Sequence, residues 1–290
     1  MVVYNLPTEP VAHVLLTGDD DFVREFAGIL AKNDVTFDIL PPIDEEEILH
    51  VDEETASELA DIDISVYSPF QDRLIADPRE ATHAYTHIID LSVELPTVRR
   101  TTLVLATSVH PKATVIASTL TTTATELGMI AGIDKRIVGI GLVPMLMSTT
   151  TVAECAPGLN TTADHIASAD LLLQKLGYVT EHVEDRVALV QMRILATLIN
   201  EAAFAVMEGV ASPEDIDLAM QLGTGYPKGL LAWADEIGIP IVTLVLDGLY
   251  HEYRQERYRP CVLLKQYMRA GWTGKESGRG FYTYTSDHVG

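Results

Sequence analysis

Glu154 is the side chain of this sequence best placed to do chemistry. It stands inside Arg136 to Gly158, RIVGIGLVPMLMSTTTVAECAPG, where a short apolar strand, Ile137 to Val143, ends at Pro144 and a run of Ser and Thr. There an alternating α/β half gives way to an almost wholly helical half, and pockets form preferentially at such domain seams. The rest of the seam holds no side chain that titrates or attacks readily. Elsewhere, His110 falls in a loop before Pro111, and His165 and His182 at surface-type helix and strand positions, so solvated rings are expected at all three. Cys155 and Cys261 sit in apolar settings and read as thiols that pack. No metal-ligating set is read.

The second place with chemical promise is a turn of the anion-binding kind. Residues 11 to 17, VAHVLLT, predict a buried strand, and Gly18 with DDDFVREFAGILAKN predicts a turn into an amphipathic helix carrying Phe22, Phe26, Ile29 and Leu30 on one face. Val35 to Leu40 predicts a second strand, completing the opening βαβ unit of a doubly wound sheet. A dinucleotide site would want G-x-G-x-x-G here, so that the backbone can approach the pyrophosphate. Only Gly18 is kept; the other two glycine positions hold Asp20 and Val23. Asp19, Asp20 and Asp21 suit the helix macrodipole when no other anion is bound, and they occupy the space and charge a diphosphate needs. Leu40-Pro41-Pro42 stands where an acidic residue should accept the ribose hydroxyls, with Asp38 as a poor substitute on the same face.

The elements that must position these groups follow from periodicity. Residues 41 to 87 predict a helix-poor crossover with a short strand at Asp63 to Tyr67 and a helical segment near Pro78 to Ala84. Then come a strand at Ile88 to Val93, a helix at Leu95 to Leu105, a strand at Val115 to Ser118 and a Thr-capped helix at Thr121 to Met129. After the seam, TADHIASADLLLQKLG predicts an amphipathic helix stopped at Gly177, and Tyr178 to Val183 a short strand. Val187 to Glu208 predicts a long helix apolar almost all round, the mark of a central or interface helix. Ser212-Pro213 opens the next helix with a cap and Pro at its first turn, and helices follow to about Tyr253 and over Cys261 to Ala270.

Composition bounds the function. The chain has 290 residues, 47% hydrophobic and 21% charged, room for two domains, and no long uncharged apolar run or basic leader. A cytoplasmic protein is expected. Its formal charge of -22, from 42 acids against 20 bases, argues against nucleic acid or an anionic membrane as a partner.

Specific strings in the second half carry a family resemblance: INEA at Ile199 to Ala202, EGVASPEDID at Glu208 to Asp217, LGTGYPKG at Leu222 to Gly229, Asp235, and SGRGFYTY at Ser277 to Tyr284. Together they resemble the helical domain of the 3-hydroxyacyl-CoA dehydrogenase family. IIDLSVELPTVRR, VIASTLTTTATEL and RIVGIG extend the resemblance into the first half, and only residues 41 to 87 fall outside it, where the family's CoA-holding helical hairpin is shortened or replaced. The resemblance implies a Rossmann-like domain (residues 1–143), an all-helical dimerisation domain (residues 144–290), a homodimer, NAD as cofactor and an acyl-CoA ligand. It further implies hydride removal from a 3-hydroxyacyl thioester by a His oriented by a Glu, with Ser and Asn on the substrate oxygen. Position by position, Gly141 stands for the His, Thr121 for the Ser with one residue of uncertainty, and Met192, before Arg193, for the Asn. Glu154 alone matches among the catalytic group; Gly18 and Glu94 match cofactor contacts, and Arg99 stands for a Lys. Three readings remain open: a degenerate homologue that binds a ligand or partner, with little or no NAD binding; an active dehydrogenase with a non-standard site; or a structural dimer. The Gly-rich Leu222 to Gly229 string reads first as a packing device.

Overall fold

The computed structural model describes residues 12–42, 64–81 and 83–284. Strand β1 (His13–Thr17), helix α1 (Asp20–Lys32) and strand β2 (Thr36–Ile39) form the expected opening unit. Helix α1 buries Phe22, Val23, Phe26, Ala27 and Leu30, the face its 3.6-residue period marked. After β2 the described chain makes three short 3₁₀ turns, Ile64–Tyr67, Gln71–Arg73 and Pro78–Glu80. The strand expected at Asp63 to Tyr67 is therefore such a turn from Ile64 onward, fixed by Tyr67, which is fully buried; Asp63 lies outside the described residues. The segment then runs along the outer side of β2, where Leu74 bridges Ile39 and the Ile75 N–H donates to the Ile39 carbonyl at 2.9 Å, covering a sheet edge that would otherwise stay unpaired.

Strand β3 (His87–Asp90), helix α2 (Pro96–Val109), strand β4 (Thr114–Ser118), helix α3 (Ala124–Ala131) and strand β5 (Ile137–Ile140) continue the parallel sheet. Thr123 caps α3, accepting from the Glu126 N–H, and Gly132 ends it in the left-handed region. The sheet does not stop at residue 143 as expected. Strand β6 (Val152–Pro157) pairs antiparallel with β5, and β7 (Val179–His182) pairs parallel with β6, giving the order β2-β1-β3-β4-β5-β6-β7. Helix α4 (Ala163–Lys175) covers this extension with buried Ala169, Leu172 and Leu173. Strand β6 escapes sequence reading because AECA has neither a β-branched run nor a clean alternation.

Helices α5 (Gln191–Met207), α6 (Pro213–Thr224), α7 (Leu230–Ile237), α8 (Ile239–Tyr253) and α9 (Val262–Arg269) form the second half. Helix α5 is central, burying Met192, Ala196, Ile199, Asn200, Ala202 and Ala203. It starts at Gln191 instead of Val187 because Ala188 and Leu189 hold φ of +62° and +46°, outside helical space. Ser212 caps α6 from the Asp215 N–H with Pro213 behind it, as its sequence predicts. One apolar core runs from the α1 and α4 face of the sheet into the helical half, and a smaller one lies under α2 and α3. Among the described residues no helix is long and apolar enough to cross a membrane.

Candidate functional site

The turn between β1 and α1 is built on a close approach. Gly18 has φ +127°, and a Cβ there would lie 2.6 Å from the Leu91 carbonyl carbon and the Ser92 nitrogen, so only glycine fits against the loop after β3. Asp19 follows and accepts from the Val93 N–H at 2.9 Å. Burial pushes its carboxyl up to about 6, with Asp90 and Glu94 repelling it and the Val93 N–H pulling the other way. Asp20 accepts from the Tyr67 hydroxyl at 2.5 Å.

These residues open onto a cleft of about 460 Å³ at the point where the strand order reverses between β1 and β3, the place where doubly wound sheets bind ligands. Asp19, Asp20, Asp21 and Glu94 all line it, with Phe22, Val93, Ile241 and Leu244 as apolar wall. Among the described residues no lysine or arginine lines it. Arg99, expected among the cofactor contacts, is buried in an ion pair with Asp90, its Nε 2.9 Å and its Nη2 2.8 Å from the carboxylate. Asp38 is likewise committed, accepting the Tyr85 hydroxyl at 2.6 Å. A dinucleotide's diphosphate does not fit this lining: each carboxylate at about 4 Å opposes it by about 1 to 4 kcal/mol at effective dielectrics of 80 down to 20. Beside it, between the C-terminal ends of β3, β4 and β5, Phe22, Leu91, Leu120, Leu142 and Met147 close a pocket to about 10 Å³, room for no more than about one water.

At the seam Gly141 and Glu154 are neighbours. The Gly141 N–H donates to the Glu154 carbonyl at 3.1 Å, and a Cβ on Gly141 would lie 2.8 Å from Glu154 Oε2 and 3.0 Å from Leu189 Cδ1. The geometry for a side chain oriented by Glu154 is present; the side chain is not. The carboxylate instead accepts from the Val190 N–H at 3.1 Å and the Gln191 N–H at 3.0 Å, capping α5 where the helix dipole is positive. Burial raises its pKa and those two N–H groups oppose the rise. Met192 is fully buried and offers no polar atom. Thr121 is buried and its hydroxyl reaches only the Glu94 carbonyl, at 3.4 Å. Arg193 stacks 4.4 Å from the Tyr253 ring and donates to the Tyr258 hydroxyl.

Of the three histidines expected to be solvated, His182 is exposed, while His110 and His165 are not. His110 is buried, its ring 4.7 Å from that of Tyr85 and its Nε2 3.4 Å from the Pro78 carbonyl. His165 is half-buried with its Nδ1 2.8 Å from the Thr114 hydroxyl. His182 is exposed beside Asp170 at 3.0 Å. Both cysteines are buried and free, and burial pushes Cys155 up to about 12, as for thiols that pack. Among the described residues no group of three or more His, Cys, Asp or Glu could hold a metal ion.

Several positioning residues left no local signal. Asp185 accepts from the Ala124 and Thr125 N–H groups at 2.8 and 2.9 Å and so pins the loop before α5 to the start of α3. Ala188 donates its N–H to the Thr119 carbonyl at 2.8 Å. Glu25 on α1 accepts from the Met145 and Ser148 N–H groups, holding the turn after β5. In the helical half two buried carboxylates explain the glycine-rich strings. Asp217 accepts from Leu231 N–H at 2.8 Å, Ala232 N–H at 2.9 Å and the Tyr282 hydroxyl at 2.8 Å. Asp235 accepts from Phe281 N–H at 2.8 Å, Tyr282 N–H at 2.9 Å and the Tyr284 hydroxyl at 3.0 Å. A Cβ on Gly229 would fall 2.1 Å from Asp217 Cγ, and one on Gly280 2.0 Å from Asp235 Oδ1. Asn200 bridges the Arg259 carbonyl and the Cys261 N–H.

Residues 190–284 match the family described as 3-hydroxyacyl-CoA dehydrogenase, C-terminal domain. The chain is 38% identical over 178 residues to a probable 3-hydroxybutyryl-CoA dehydrogenase of Bacillus subtilis, covering 60% of this chain and 61% of that protein, less than two thirds of its length. It is 33% identical over 201 residues to the 3-hydroxybutyryl-CoA dehydrogenase of Bradyrhizobium diazoefficiens, 68% of this chain and 67% of that one. In structure it is similar to the (S)-3-hydroxybutyryl-CoA dehydrogenase of Ralstonia eutropha, with a TM-score of 0.74 at 25% identity over 95% of this chain and 100% of the other. With the seam geometry, the capped α5 and the two carboxylate-centred motifs in place, the chain belongs to the 3-hydroxyacyl-CoA dehydrogenase family.

Proposed function

We propose that the protein is a family homologue that has given up hydride-transfer chemistry and acts as a ligand- or partner-binding protein. The observation that carries this is the Gly141–Glu154 pair: the carboxylate that would orient a base faces a glycine and caps α5 instead. A positioned general base contributes about 10²- to 10⁴-fold, and the buried Met192 removes a polar contact to substrate as well. The acidic cleft adds weak or absent binding of NAD, the cofactor the family implies. A groove of about 760 Å³ next to the Glu154 cap joins Leu189, Val190 and Ile194 with Arg186, a lining that suits an acyl-CoA.

The partner in this reading is a second copy, docked through the helical half, where Leu218 and Leu222 on α6 are 52% and 79% exposed. Sedimentation that shows a stable monomer of 31.7 kDa would remove the dimer. The catalytic part is tested by calorimetric titration with NADH, then by acetoacetyl-CoA reduction followed at the nicotinamide absorbance. No turnover and no micromolar NADH binding are expected. Micromolar binding with turnover of about 1 per second or more, the low end of ordinary enzymes, establishes instead an active NAD-dependent L-3-hydroxyacyl-CoA dehydrogenase with a non-standard site.

A further inference from the structure

Two arginines, Arg186 and Arg193, line the groove beside the Glu154 cap. Arg24, Arg73, Arg79, Arg99 and Arg259 each meet a carboxylate. Among the described residues Arg186 and Arg193 do not, although acids outnumber bases 42 to 20 in the chain. Acidic neighbours are at hand for Arg186 and are not used: Asp185 spends both oxygens on Ala124 and Thr125, and Glu184 lines the same groove without an ion pair to it.

Each guanidinium is nevertheless held. Arg186 Nη1 donates to the Asp185 carbonyl at 2.8 Å, which leaves Nε and Nη2, the edge that meets a carboxylate with two parallel bonds. Arg193 lies 4.4 Å from the Tyr253 ring and 5.2 Å from the Tyr258 ring, with Nε and Nη2 both on the Tyr258 hydroxyl, and keeps its Nη1. Two guanidiniums against the single Glu184 carboxylate leave the lining net positive, with His182 already beside Asp170. The distant acids of the chain act through water and are screened beyond about 10 Å.

The remaining wall is apolar. Leu189 reaches the seam, its Cδ1 3.0 Å from where a Gly141 Cβ would stand, and Val190 and Ile194, one helical turn apart on α5, are 47% and 55% exposed. The start of α5 has little left to offer an anion, because Glu154 takes the Val190 and Gln191 N–H groups and the Ala188 carbonyl takes that of Arg193. Glu154 also sets a direction: a carboxylate at the seam is repelled by it, and one beside Arg186 is attracted.

We infer that the ligand of this groove is an acyl chain ended by a carboxylate. Its methylenes lie on Leu189, Val190 and Ile194, its carboxylate on the Nε and Nη2 edge of Arg186 with Arg193 as a second positive charge, and its other end at the seam. The inference rests on the ligand-binding reading above and narrows it, since a plain fatty acyl chain of the same length offers Arg186 nothing. A free dicarboxylic acid and its half-thioester with CoA share this chemistry.

The test is calorimetric titration of the full chain at low salt with adipyl-CoA and hexanoyl-CoA, and with adipate and hexanoate, pairs that differ in whether the last carbon is a carboxylate or a methyl. The carboxylate-ended member should bind roughly ten- to hundredfold tighter, the worth of one charge-assisted bidentate pair, and the preference should shrink as salt is added. Arg186→Gln keeps the length and polarity of an exposed side chain and should remove the preference; Arg186→Lys should keep part of it. A preference confined to the thioesters identifies a CoA ester as the source, and one shared by adipate identifies the free acid; both support the inference. Equal binding within each pair overturns it while the acyl-CoA reading stands. So does an unchanged preference in R186Q, whether overall binding is kept or lost in parallel. No binding by any of the four removes that reading and the inference together.

Discussion

The helical half and the sheet half both bury carboxylates, and they use them in opposite ways. Asp217 and Asp235 each meet three donors, so the cost of burying the charge is offset by hydrogen bonds that also fix the glycine-rich turns around them. In the cleft, Asp19 has one backbone donor and two acidic neighbours that repel it, and burial lifts it to about 6. The helical half surrounds its buried carboxylates with donors, while the cleft gives Asp19 one donor against two repelling carboxylates. Shape and chemistry are thus separable in one chain: the motifs that identify the family are self-consistent packing devices, independent of the positions that would react.

This contrast can be broken first where it is strongest. Asp235→Ala would strand the Phe281 and Tyr282 N–H groups and the Tyr284 hydroxyl, and is expected to cost about 3 to 5 kcal/mol in urea unfolding; a loss below about 1 kcal/mol would mean the helical half does not depend on that carboxylate. Asp19→Asn should move the other way. Its folded pKa of about 6 lies above the ordinary 3.8, so the charge costs stability above 6 and the cost vanishes as the pH falls toward 3.8. The variant is expected to be more stable than the natural chain by on the order of 2 kcal/mol near neutral pH, and equal to it at about pH 4. Thermal unfolding across that range checks the crossing.

Smaller effects sharpen the seam. Glu154→Ala removes the cap of α5 and should cost about 1 to 2 kcal/mol in denaturant; on the proposed function, the acetoacetyl-CoA assay should read background before and after the change. Smallest is Gly141→His in the acetoacetyl-CoA assay. The new Cβ meets Glu154 Oε2 at 2.8 Å, Leu189 Cδ1 at 3.0 Å and Glu154 Cβ at 3.3 Å, side-chain atoms that can shift, so the chain should still fold, and activity is expected to stay at background because Met192 and the acidic cleft are untouched. Turnover restored by that one change would place the whole deficit at residue 141.

Local pattern was enough for much of this. An apolar run marks β1, a 3.6-residue period marks α1, and Ser212-Pro213 marks the cap of α6, because each rests on neighbours within a turn or a strand; the Thr-capped helix expected from Thr121 starts at Ala124 with Thr123 as its cap. That residue 141 is a glycine and residue 20 a carboxylate was legible as residue types at the positions the resemblance assigns. Strand β6 was not: its pairing with β5 across the turn held by Glu25 comes from partners far along the chain. Residues 188 and 189 gave no sign of φ above zero, since alanine and leucine adopt it only when Asp185, Thr119 and Glu154 over-determine the loop from outside.

What the sequence by itself determined is therefore the inventory: which family-like strings are present, which residue types stand at the positions the resemblance assigns to catalysis and phosphate binding, and a strongly acidic charge of -22. Where that inventory goes was decided by the tertiary structure. Arg99 stands at a cofactor position in the chain but spends its charge on Asp90, and His110 reads as a loop residue but is buried beside Tyr85. Both outcomes turn on contacts between segments brought together only when the sheet closes, where burial sets the cost of a charge and the nearest partner, however distant in sequence, decides whether that cost is met.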